Sequence, residues 1–103
     1  MNFGLSAQDI GLIKGVLENH PEITSVKIFG SRAMGNYRAN SDIDMALWGD
    51  IGFDNLSSIK DDLESLPLPY KFDVVDYEAI THLPFKDHID EHGRDFYIND
   101  VIQ

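Results

Sequence analysis

The sequence predicts an α+β domain, a small mixed sheet flanked by helices, and three observations carry that expectation. Apolar residues recur at helical spacing within residues 10–17 and 56–66. Three short segments, SVKIFG, DIDMALW and KFDVVD, are rich in β-branched and aromatic residues and read as strands. These segments follow one another as helix, strand, strand, helix, strand, with a helical tail, an order that packs helices onto a sheet.

The first helix begins after Ser6, which precedes Asp9 by three positions in a capping-box-like start, and Ile10, Ile13, Val16 and Leu17 form its apolar stripe. It ends before Pro21. The first strand covers residues 25–30, and glycines, asparagines and Ser41 interrupt the pattern before the second, residues 42–48. Asp54 can cap a second helix that carries Leu56, Ile59, Leu63 and Leu66 and is closed by Pro67 and Pro69. The third strand spans residues 71–76. The tail reads as a helix from residue 84 to about residue 91, then a short extended piece around residues 96–98.

One domain over residues 1–103 is expected, because a chain of this length leaves no room for a second of ordinary size. With 43% hydrophobic residues, it can fill a core without staples. There is no cysteine, which removes disulfides, thiolate catalysis and Cys-ligated zinc together. No apolar run approaches the ~20 residues needed to cross a bilayer, and the first residues carry no secretory pattern. A cytoplasmic protein with no membrane partner is therefore expected. The formal net charge of −10, from 18 acidic and 8 basic residues, disfavours nucleic acid, whose binding depends on neutralising phosphates with Lys and Arg. A basic protein partner, or a nucleotide carried in with magnesium, suits this charge better, although acidity also serves solubility alone.

Three features fall together mid-chain. Gly30-Ser31 ends a strand just before a segment that can open a helix; glycine allows close backbone approach, and the following N–H groups and the Ser31 hydroxyl can donate to phosphate. By itself such a pair is more often only a turn. Asp42 and Asp44 lie two apart in a strand, so both carboxylates look to one face while Ile43, Met45 and Leu47 look to the core. Two adjacent carboxylates repel, and oxygen donors without His or Cys suit Mg2+ or Mn2+ rather than zinc. A solvent-facing strand with two outward charges accounts for the pair equally well. Asp73 is a lone acid in an apolar strand and can join them as a third ligand. Asp76 competes for that role, but it lies on the opposite face and at the strand's end, where a turn or N-cap explains it. Three carboxylates around two Mg2+ ions form a two-metal centre. One ion activates an acceptor hydroxyl and the other steadies the triphosphate and leaving pyrophosphate. Asp73 is then the group that can take the hydroxyl proton.

Gly30-Ser31, ten residues, Asp42-Ile43-Asp44 and an Asp in a later apolar strand, within IFGSRAMG and NSDIDMAL, resemble the nucleotidyltransferase signature of the DNA polymerase beta superfamily. The short chain resembles its minimal nucleotidyltransferase (MNT) branch, antitoxins encoded beside HEPN toxins. The resemblance implies a polymerase beta-like palm fold and NMP transfer from ATP or another NTP. Its implied catalytic and metal residues are Asp42, Asp44 and Asp73; Gly30, Ser31 and Arg32 are the implied nucleotide-binding residues. Arg32 would neutralise phosphate or position the loop. The implied acceptor is a tyrosine of a HEPN-type partner protein in a hetero-oligomer, in a toxin–antitoxin system. Small-molecule nucleotidyltransferases resemble this core plus an acceptor-holding domain, for which the chain leaves no length. A binding-only antitoxin with a vestigial site, or an antibiotic-type nucleotidyltransferase, are the alternatives.

Other patterns carry less. His88 and His92 stand four apart, but the order HIDEH is not the metalloprotease one and no third ligand clusters with them. Gly30 to Gly35 has the spacing of a phosphate loop, yet Asn36-Tyr37 follow where Lys and Ser/Thr belong. Tyr37 and Arg38 lie on a surface loop, and sheet packing explains Trp48 better than ligand stacking.

Overall fold

A computed structural model describes residues 2–100. Its four strands are β1 (Ile23–Phe29), β2 (Ile43–Gly49), β3 (Phe72–Asp76) and β4 (Arg94–Ile98). They form one sheet in the order β3-β2-β1-β4, with β1 antiparallel to both neighbours and β2 parallel to β3. The helices are α1 (Ala7–Glu18), α2 (Ser31–Met34), α3 (Gly52–Glu64) and α4 (Leu83–His92). This is the small mixed sheet flanked by helices that the sequence predicts.

The larger core lies on one sheet face. Ile43, Met45 and Leu47 of β2 and Phe72 and Val74 of β3 meet Ile13 and Leu17 of α1 and Ile59 and Leu63 of α3. The period-two alternation of the strands thus sends one set of side chains to these helices. Ser6 caps α1 as expected, its hydroxyl accepting from the Asp9 N–H at 3.0 Å. α3 starts earlier than expected: Ile51 is its cap residue, and Asp54 sits within its first turn, where a carboxylate complements the positive helix end without capping it.

α4 lies against the other face. Phe85 and Ile89 pack on Phe29, Ala46 and Val75, with the rings of Phe29 and Phe85 5.6 Å apart and edge to face. The extended tail piece is an edge strand, β4, which starts two residues earlier than expected and pairs with β1. α4 thus packs on Phe29, Ala46 and Val75, while Asp42 and Asp73, at the leading ends of β2 and β3, stay exposed. That corner holds the acidic residues.

Candidate active site

The ladders fix the corner. Asp44 lies opposite Phe29 on β1 and opposite Asp73 on β3, so the C-terminal end of β1 and the leading ends of β2 and β3 meet there. In a parallel pair, residues in register share a face, so Asp44 and Asp73 project together. Asp42 lies just before β2, near enough for its charge to act on the Asp44 carboxyl. Asp42 and Asp73 are exposed, while Asp44 is half-buried.

The burial difference has an electrostatic consequence. The carboxyl of Asp44 is pushed up from 3.8 to about 6, first by burial, then by Asp73 and then by Asp42. Among the described residues, no Lys or Arg forms an ion pair with any of the three. The chain therefore concentrates negative charge at one point and leaves it uncompensated.

Gly30 lies directly beneath this cluster. Its φ of 73° and ψ of −154° belong to a region only glycine occupies comfortably. A Cβ built on it would run into Asp44 Oδ2. Glycine is thus required twice, by the backbone angle and by the carboxylate seated on it. Ser31 opens α2 immediately afterwards; Gly30 O and Ser31 O accept from Met34 and Gly35 N–H at 3.1 and 3.0 Å. The turn and the acid pair, ten residues apart in sequence, touch.

Asp76 falls on the other side of β3, in register with Leu47, whose side chain belongs to the larger core. One of its carboxylate oxygens, Oδ1, is buried without a hydrogen-bond partner. Asp76 stands at the N-cap position of the 3-10 turn Tyr77–Ala79, as expected, but without a side-chain capping bond. Its exclusion from the acidic corner follows from the register alone.

Arg32 behaves differently from a phosphate-facing residue. It is 1% exposed, and its guanidinium is occupied by the carbonyls of Phe3, Ala39 and Ser41. Of its two implied roles, the geometry fits the positioning of the loop and not the neutralisation of phosphate. Trp48 stacks on Tyr77 with centroids 4.4 Å apart, which is the sheet packing expected of it. The rings of His88 and His92 are 5.0 Å apart on α4.

The donor set fits a hard divalent cation: all oxygen, at one corner, with charge that an ion would relieve. Asp42, Asp44 and Asp73 are the residues that would hold it. Among the described residues, no group of three or more His, Cys, Asp or Glu stands at ion-holding spacing.

The family model described as polymerase beta nucleotidyltransferase matches residues 12–101, which takes in the Gly-Ser turn, Asp42, Asp44 and the whole of β3. The chain belongs to the polymerase beta nucleotidyltransferase family. No curated protein matches this chain by sequence. Among solved structures, a toxin–antitoxin determined with AMP-PNP is similar at TM-score 0.72 and 23% identity, over 89% of this chain and 75% of that one. The toxin–antitoxin MntA–HepT matches at 0.68 and 20%, over 93% and 75%. A tri-AMPylated Shewanella oneidensis HEPN toxin in complex with MNT antitoxin matches at 0.67 and 18%, over 91% and 73%. At these identities the likeness is one of fold. Among the described residues no helix is long and apolar enough to cross a membrane.

Proposed function

We propose that this nucleotidyltransferase moves AMP from ATP onto a hydroxyl of a partner protein, as the MNT antitoxin of a HEPN-type toxin. The observation that carries the reading is the register pair Asp44 and Asp73, brought onto one face beside Asp42 and directly over the Gly30-Ser31 turn. Gly30 and Ser31 offer backbone N–H groups and a hydroxyl to the phosphates. Asp42, Asp44 and Asp73 would hold Mg2+, or Mn2+ in its stead, and the ions would supply Lewis-acid stabilisation of the phosphoryl oxygens and of the acceptor oxygen. Asp73, exposed at the edge of the cluster, is positioned to accept the proton of the incoming hydroxyl.

Transfer forms a bond between the acceptor oxygen and the α-phosphorus and breaks the bond to the β-phosphate, releasing pyrophosphate. The solved neighbours described as toxin–antitoxin complexes, one with AMP-PNP and one with a tri-AMPylated HEPN toxin, support the choice of nucleotide and of a protein acceptor.

Incubation with labelled ATP, MgCl2 and the protein encoded beside it tests the proposal. Label should appear on the neighbour and disappear with Asp42→Asn. No transfer to that protein, with any NTP, rejects the reading. The alternative is a binding-only antitoxin with a vestigial site. A Ser31→Ala, Asp44→Asn double variant that still neutralises the partner fully would support it.

A further inference from the structure

A buried guanidinium without a carboxylate partner is costly, because carbonyl dipoles repay only part of the lost hydration of a charge. Arg32 is such a group. Nε and Nη2 both donate to Ser41 O, at 3.1 and 2.9 Å, Nη2 also to Ala39 O at 3.2 Å, and Nη1 to Phe3 O at 2.9 Å. The rings of Tyr70 and Tyr37 lie 4.8 and 5.4 Å from its central carbon. Among the described residues it forms no ion pair.

The segments it joins are those that frame the acidic corner. Arg32 follows Ser31 directly, so its backbone moves with the Gly-Ser turn. The carbonyl it grips with a fork is that of Ser41, the residue before Asp42. Ser41 is also held from the loop side: its hydroxyl accepts from Arg38 N–H at 2.8 Å, and its own N–H donates to Arg38 O at 3.0 Å. The third segment is residues 3–4. Phe3 adopts φ 58°, a left-handed angle that strains a bulky residue, and its carbonyl faces Nη1. A Cβ on Gly4 would meet the Tyr37 ring, so the same ring closes over both Gly4 and the guanidinium.

We propose that Arg32 is a positioning residue of the transfer site, fixing the separation between the Gly30-Ser31 turn and the Asp42–Asp44 pair through the Ser41 carbonyl. The inference rests on the reading of those carboxylates as the ion site. Only a planar fork serves this geometry. Lysine keeps the charge but offers one nitrogen, which cannot reach three carbonyls from a fixed plane.

Three variants test it: Arg32→Lys, Arg32→Met, and Ile59→Val as a destabilised control in α3, whose side chain is buried far from the corner in sequence and element. Amide hydrogen exchange at Ser41 and MgCl2 titration followed by melting temperature are the readouts. Arg32→Lys should speed Ser41 exchange about tenfold and raise the half-saturating magnesium concentration about tenfold, the loss of one charge-assisted hydrogen bond's worth of order. Ile59→Val should lower melting while leaving both unchanged. Unchanged exchange and unchanged magnesium response in Arg32→Lys, or equal changes in Ile59→Val, overturn the proposal. If Arg32→Met does not fold, Arg32→Lys decides alone. A wild-type protein that ignores magnesium fails the ion-site reading instead, and the exchange arm then still decides whether Arg32 holds Ser41.

Discussion

Replacing Asp44 with Asn should make the magnesium-free protein more stable, although it removes a residue proposed to be essential. The side chain is half-buried between two other carboxylates, and its carboxyl is raised from 3.8 to about 6. A shift of that size corresponds to about 3 kcal/mol at ~1.4 kcal/mol per tenfold. Solvent reaches much of the group, and screening reduces the figure to about 1–2 kcal/mol. The folded carboxyl holds its proton more tightly than the unfolded one. The cost is therefore complete above about pH 6, eases as pH falls through 6, and is gone below 3.8. Asn has the same shape and no charge, so Asp44→Asn should melt about 4 °C or more above the wild type at pH 7.5. The gap should shrink as the buffer is taken from pH 7 to pH 4. Thermal denaturation in EDTA across that range measures it. An equal or lower melting temperature for the variant at pH 7.5, or a gap that does not shrink, refutes the claim that the corner stores charge repulsion.

Other expectations follow from the same corner. Gly30→Ala should cost about 1–3 kcal/mol from its backbone angle alone, more with the Asp44 collision, and should abolish transfer; denaturant melts and the labelling assay read the two effects. Asp73→Asn should remove the rise in melting temperature on adding MgCl2, while Asp76→Asn should retain it and retain transfer, since register puts Asp76 on the other face. Phe53, 82% exposed at the start of α3, should tolerate Phe53→Ser within about 0.5 kcal/mol, as read by the same melts.

Much of this was legible because it depends on short-range periodicity. Asp44 and the inward Ile43, Met45 and Leu47 need only the alternation of one strand, although that strand begins one residue after Asp42, and placing Asp73 and Asp76 on opposite faces needs only the parity of another. The cap at Ser6 is equally local. The start of α3 was misjudged because Asp54 is a good cap residue two positions inside a helix that begins without a side-chain cap. The contact of Asp44 with Gly30 was not legible, because it depends on the antiparallel register of β1 and β2. Nor was the burial of Arg32. Its partners are main-chain carbonyls at Phe3, Ala39 and Ser41, and a carbonyl leaves no mark in the sequence. An arginine whose partners are backbone looks, in one dimension, like any arginine beside a phosphate loop.

The charge of the chain and the geometry of the corner together constrain how nucleotide can enter. The protein carries −10 overall, and the corner gathers three carboxylates without a paired cation among the described residues. The one arginine beside the Gly-Ser turn has its donors turned inward to carbonyls. A metal-free triphosphate would thus meet repulsion from the aspartates with little positive charge to offset it. Association should require the divalent cation rather than merely benefit from it. ATP with EDTA should leave the melting temperature unchanged, MgCl2 should raise it by neutralising the corner, and ATP with MgCl2 should raise it further by ligand linkage. A rise with ATP in EDTA equal to that with magnesium present would mean that some other group on the chain receives the phosphates.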